Sequence, residues 1–156
     1  MLRCAPQSTT DGLDRPMKAF VIDASTAIAW VHPGQRTDES EAWLDYVASG
    51  AELVVPAIWP LEVSNALLLL ERRRKVTAVE RTEALRALAA IPVKLDHEAA
   101  TSAFGTLSDI ATAETLSVYD AAYLDVAVRR ALPLGCNDGP LRSAAVRNGV
   151  VVDPRG

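Results

Sequence analysis

The sequence predicts an α/β fold, a short parallel sheet with helices on both faces, because five short apolar runs recur along it and segments of helical periodicity separate them. Strands covered on both faces need continuous apolar runs rather than alternating ones. At 156 residues the chain lies within the single-domain range and can bury a substantial core without disulfides or a structural metal.

The first run, residues 18–23 (KAFVID), ends in an acid and reads as a buried strand, with Ser25 or Thr26 placed to cap the helix after it. Residues 37–47 have helical spacing, and Asp38, Glu39 and Glu41 fall in the first turns, where the helix dipole favours negative charge. Residues 52–55 (ELVV), stopped by Pro56, make the second strand. Pro60 suits the first position of a helix through Arg74, and Arg72, Arg73, Arg74 and Lys75 suit its negative end. Thr77 and Glu80 form a Thr-x-x-Glu capping box for a helix reaching Ala90. Residues 91–95 read as a third strand with Pro92 near its start, followed by a helix over roughly 97–112. Ser117 and Asp120 form a second capping box, opening a helix to about Ala131 with Ala121, Ala122, Leu124 and Val128 on its apolar face. Residues 132–136 make a fourth strand, Asp138, Gly139 and Pro140 start a helix to about Arg147, and residues 150–152 make a last strand.

Met17 stands directly before the first run. Residues 1–16, with their Pro, Ser, Thr, Asp and Gly, therefore read as a flexible N-terminal extension, and residues 17–156 as one domain. The extension has no apolar stretch of the kind a secretory signal needs, and the longest apolar stretch, around 66–70, is far short of the ~20 residues that span a membrane. Cys4 and Cys136 have neither metal-knuckle spacing nor the partners of a disulfide scaffold, which suits a reducing compartment; the cytoplasm is the expected location. A net charge of −4 excludes binding of nucleic acid by overall charge alone, while leaving room for local basic patches.

Ligands of open parallel sheets bind at the carboxyl ends of the strands. Asp23 ends the first strand, Glu62 lies just beyond the second, Asp138 just beyond the fourth, and Asp120 opens the helix before it. Each acid taken singly is explained by a helix terminus, where acids are favoured in any case. Four at one edge repel one another unless cations or protons neutralise them, and carboxylate oxygens suit hard divalent cations such as Mg2+ or Mn2+. No Cys or His cluster favours zinc. Nucleophilic catalysis has little support, since His32 and His97 fall in no elbow or triad motif, and phosphate cradles of the P-loop or G-x-G-x-x-G type are missing. A phosphoaspartyl reading of Asp23-Ala24-Ser25-Thr26 fails because Ser25 stands where that chemistry places a second Asp.

The segments VIDASTAIAW (21–30), PAIWPLEVSNAL (56–67), LSVYDAAYLDVAVRRALPL (116–134) and NDGPLRSAA (137–145) together resemble PIN domains, and within them the VapC-type toxins, over nearly all of residues 18–152. The resemblance implies a PIN-like three-layer fold. It also implies an endoribonuclease whose metal-site acids carry over to Asp23, Glu62, Asp120 and Asp138, binding one or two Mg2+ or Mn2+ ions. Ser25 corresponds to the small polar residue supporting the first Asp, and Asn65 to a polar neighbour of Glu62. The chain departs from the pattern at Cys136, where Thr is common two residues before the last acid, which puts most strain on Asp138. Asp125 is open between an outer-shell acid and a solvent-facing one.

The resemblance further implies an RNA substrate, a homodimer and a small antitoxin whose tail covers the acidic site. Arg72 to Lys75 is the most concentrated basic patch, with Arg129, Arg130, Arg142 and Arg147 as further candidates for phosphate contact. Trp59 and Leu67 to Leu70 serve either an interface or the core. Two other readings stand beside the toxin: a PIN ribonuclease of housekeeping RNA processing, and a non-catalytic PIN-like module that binds RNA or protein.

Overall fold

The computed structural model describes residues 17–137 and 139–156; the expected extension over 1–16 and Asp138 lie outside the described residues. Four strands, β1 (Ala19–Ile22), β2 (Glu52–Pro56), β3 (Val93–Asp96) and β4 (Leu134–Gly135), form a wholly parallel sheet in the order β3-β2-β1-β4. Ala19 lies opposite Glu52, Val21 opposite Leu134 and Leu53 opposite Val93. The two central strands carry the continuous apolar runs because both of their faces are covered, and Phe20, Val21, Ile22, Leu53, Val54 and Val55 are buried. The edge strand β3 is more open and places Lys94 on its rim, which discourages pairing with another chain.

The helices are α1 (Ala24–Val31), α2 (Asp38–Ala48), α3 (Trp59–Arg72), α4 (Ala78–Ala89), α5 (Glu98–Ser102), α6 (Thr106–Glu114), α7 (Val118–Arg130) and α8 (Pro140–Arg147), with a 3-10 turn over Pro33–Gln35. The chain steps outward from β1 to β2 to β3, then returns past β1 to β4. Parallel crossovers are right-handed, so outgoing and returning connections cover opposite faces. Accordingly α1 to α4 pack on one another, while α7 lies on β1 and β2 and carries α6 and α8. The direction of travel reverses between β1 and β4, which opens a crevice at their carboxyl ends.

Local chemistry moves several expected boundaries. Asp23, not Ser25 or Thr26, caps α1, accepting the Thr26 N–H at 3.0 Å. The helix after β2 starts at Trp59, with Pro60 in its first turn. The expected single helix over 97–112 is two, α5 and α6, parted at Gly105, whose high backbone freedom makes it a poor helix residue. Residues 150–152 are not a strand: a single bond of ladder type, Leu134 N to Val151 O at 2.9 Å, joins them to β4. The box at Thr77 and Glu80 closes in both directions, whereas Ser117 accepts the Asp120 N–H at 3.0 Å without a return bond from the Asp120 carboxylate among the described residues. Asp120 is therefore no capping-box partner, and its side chain is left for another task.

The core stacks Phe20 on Trp43, with ring centroids 5.2 Å apart, and absorbs Trp59 and Leu67. For these two the open assignment between interface and core is resolved in favour of core; Leu70 packs partly against it, Leu68 is half-buried and Leu69 is exposed. Trp43 lies flat enough against Gly135 that a Cβ added there would stand 2.9 Å from the indole Nε1, 3.0 Å from Cε2 and 3.1 Å from Ile22 Cγ2. A ring buried on all sides cannot swing away, so Gly135→Ala forces β4 off β1. It is expected to cost ~1–3 kcal/mol, the usual range for overpacking a core. An unchanged urea midpoint would show that the strand moves freely.

Candidate active site at the carboxyl edge of the sheet

Asp23 follows β1 at the crevice, and both sides of the crevice hold its backbone. Its N–H donates to the Gly135 carbonyl at 3.0 Å, and its own carbonyl accepts the Trp59 indole N–H at 3.3 Å. Its side chain is pinned through one oxygen. Oδ1 accepts Ser25 Oγ at 2.7 Å, the Thr26 N–H at 3.0 Å and Thr26 Oγ1 at 3.2 Å, while no donor reaches Oδ2 among the described residues. Ser25 Oγ in turn accepts the Asn137 N–H at 3.4 Å, tying the first acid to the segment that follows β4.

Glu62 stands in the first turn of α3 and accepts the Tyr123 hydroxyl on Oε1 at 3.3 Å. Asp120, in the first turn of α7, has no donor on its carboxylate among the described residues. The three acids thus arrive from three separate elements and share one electrostatic neighbourhood. Burial raises the proton affinity of Asp23 most, against the hydrogen bonds from Ser25 and Thr26, and the charge of Asp120 raises it further. Burial likewise leads for Glu62, to which Asp120 and Asp23 add, and burial raises Asp120. Tyr123 is pushed far above the usual phenol range by burial and by all three carboxylates, so it keeps its proton and acts as a donor. Beneath them the Cys136 thiol, where Thr was expected, is buried and pushed up to about 12, first by burial and then by the Asp23 charge; it remains a neutral thiol.

The supporting residues fare differently. Ser25 touches Asp23 as expected, whereas Asn65 is exposed on α3 and makes no hydrogen bond to the three acids among the described residues. Asp125 is not solvent-facing: it is buried and paired with Arg129 at 2.8 Å. Sequence reasoning missed Thr26 and Tyr123 as site residues. Tyr123 carried a signal, since it follows Asp120 by three positions and so shares its helix face.

The chain matches the model of the PIN domain over residues 20–145. The chain belongs to the PIN domain family. PIN domains are generally nucleases and typically use divalent metal ions. The fold is similar to the crystal structure of PAE2754 from Pyrobaculum aerophilum, at a TM-score of 0.61 and 20% sequence identity over 87% of this chain and 85% of that one. It is also similar to FitAcB from Neisseria gonorrhoeae, at 0.55 and 17% over 86% of this chain and 97% of that one. At such identities the likeness shows the fold alone. No curated protein sequence matches the chain.

The donor set of this PIN domain fits a hard divalent cation. It offers carboxylate oxygens that repel one another, and Asp23 and Glu62 each have one oxygen committed to protein donors and, among the described residues, one open. Among the described residues no three Asp, Glu, His or Cys side chains are gathered closely enough to hold a metal ion by themselves. That openness is compatible with Mg2+, which keeps several waters and takes one or two carboxylates.

The basic residues divide. Arg129 and Arg130 are drawn inward to Asp96, each at 2.7 Å; Arg142 pairs with Glu39 at 2.6 Å and Arg147 with Glu114 at 2.7 Å. These four are structural contacts before they are phosphate contacts. Arg72, Arg73, Arg74 and Lys75 are exposed at the end of α3, with no ion pair among the described residues.

Proposed function

We propose that this PIN domain is a metal-dependent endoribonuclease that hydrolyses RNA phosphodiester bonds, with Asp23, Glu62 and Asp120 holding Mg2+ or Mn2+ and Asp138 as a fourth ligand. The observation that carries the reading is the Asp120 carboxylate: it caps nothing, lacks a donor among the described residues, and sits within the field of two further half-buried acids. Asp23 caps α1, and Glu62 and Asp120 gain from helix N-termini, but gathering the three costs desolvation and mutual repulsion that a bound cation would relieve. When bound, a divalent ion supplies water of lowered pKa and neutralises charge building on the phosphate. The chain's own residues then have defined tasks. Ser25 and Thr26 fix Asp23 Oδ1, Tyr123 fixes Glu62 Oε1, and the open oxygens are offered to the cation. No side chain serves as nucleophile.

The resemblance to VapC-type toxins supports the rest of the proposal: the toxin half of a type II toxin–antitoxin pair, cytoplasmic, dimeric, and silenced by a small cognate antitoxin. No helix among the described residues is long and apolar enough to cross a membrane. The testing experiment is cleavage of total cellular RNA by purified, partner-free protein in Mg2+ or Mn2+ and in EDTA. Metal-dependent cleavage is expected; cleavage undiminished in EDTA would overturn the mechanism.

Arg72 to Lys75, exposed and basic, is the candidate patch for contact with RNA backbone. Replacing all four by Gln is expected to weaken RNA binding and flatten its salt dependence by roughly 3 logarithmic units of slope, at ~0.7 per single-strand phosphate contact. Fluorescence anisotropy against ionic strength measures it, and an unchanged slope removes the patch from the interface.

A further inference from the structure

Tyr123 is only 1% exposed, and its ring belongs to the main core, yet its hydroxyl leaves that core to meet Glu62. The contact crosses from α7 to α3, joining two of the three elements that supply acids. Asp23 shows the same device, with one oxygen saturated by hydroxyl and amide donors and the other open among the described residues. We propose that Tyr123 is a positioning residue for the metal site: by holding Glu62 through Oε1 it presents Oε2 as the oxygen that binds the cation. This rests on the metal-site reading above.

A glutamate carries three rotatable side-chain bonds, and ordering them is a cost that cation binding must otherwise meet. A hydroxyl already bonded to one oxygen removes much of that cost. Outer partners of this kind are worth roughly 10–100-fold in metal affinity. Asp120, without a donor on its carboxylate among the described residues, is positioned by its helix, and the Asp23 side chain is held by its neighbours in sequence. Glu62 is the acid that depends on a residue 61 positions away.

The test is Mn2+ affinity, read from the electron paramagnetic resonance of unbound Mn2+, for wild type, Tyr123→Phe, Glu62→Gln and the double variant. Tyr123→Phe keeps the ring in the core, and circular dichroism of the metal-free protein checks its fold. Expected is a 10- to 100-fold weaker dissociation constant for Tyr123→Phe, and less than a twofold further change when the same substitution is made in Glu62→Gln. Equal affinity in wild type and Tyr123→Phe, or an equal loss in the Glu62→Gln background, overturns the positioning role while leaving the metal site standing. No Mn2+ binding by wild type overturns the metal site itself and this role with it. Wild-type protein labelled with 3-fluorotyrosine keeps the question open to decision even if Tyr123→Phe does not fold. Saturating Mg2+ should move the Tyr123 fluorine resonance, assigned by elimination with Tyr46→Phe and Tyr119→Phe, and an unmoved resonance overturns the proposal.

Discussion

Asp120→Asn is expected to lower metal-dependent RNA cleavage by at least ~10^2–10^3-fold, the scale set by removing one preorganised charge from a reacting centre. The fold should survive, because Asn has the shape of Asp, Ser117 still accepts the residue 120 N–H, and no donor is orphaned. Two opposing effects act on the metal-free protein. A half-buried charge facing Asp23 and Glu62 disappears, which stabilises; a first-turn acid of α7 disappears, which costs ~0.3–1 kcal/mol against the helix dipole. The net change should stay within about 1 kcal/mol. Metal separates the two proteins more clearly. At a hundredfold excess over the dissociation constant a bound ion stabilises the wild type by ~2.7 kcal/mol, or roughly 5–10 °C in thermal midpoint for a domain of this size. Asp120→Asn should lose most of that shift. Cleavage at the wild-type rate with the shift retained would remove Asp120 from the site.

The order of elements and the sheet were legible because strand and helix signals here are strong and local: unbroken apolar runs for β1 and β2, and capping boxes that the structure closes at Thr77. Asp23 and Glu62 were legible as candidates because their distance from the strand ends can be counted. What could not be counted was which oxygen is occupied and by whom. The Ser117 box differs from the Thr77 box in carrying Asp for Glu, one methylene shorter, and only the longer acid takes the return hydrogen bond from its N-cap amide. The Tyr123 contact spans two elements, and Gly105 weakens a helix without saying whether the chain breaks there. The segment over 150–152 has β-branched residues but only one bond to β4, since propensity states what a strand tolerates, not whether a partner continues beside it.

Asp96 sharpens the same lesson and carries an expected effect on stability that acid removes. It ends β3 as Asp23 follows β1, so position alone would make it a ligand, but its carboxylate is already saturated. Arg129 and Arg130 each reach it at 2.7 Å, and the Glu98 N–H donates at 3.1 Å, capping the chain's entry into α5. Burial by itself would raise its proton affinity; the two guanidinium groups and the amide outweigh burial and hold the carboxyl at about 2, against an ordinary 3.8. A carboxyl depressed by folding stabilises above its unfolded pKa and ceases to as acid protonates it. Asp96→Ala should therefore cost ~2 kcal/mol at neutral pH. Removing one member of a buried pair costs 3–5 kcal/mol when the others stay buried, but here both arginines are about one-third exposed and can turn into water. The corresponding fall in thermal midpoint is roughly 4–8 °C. The gap between wild type and variant should be full above about pH 5 and should narrow as pH falls from there toward 2, because only the wild type has a depressed carboxyl left to protonate. Denaturant melts of both proteins from pH 7 to pH 3 measure it. A gap that stays constant across that range would mean that Asp96 holds α7 to β3 through packing and not through charge.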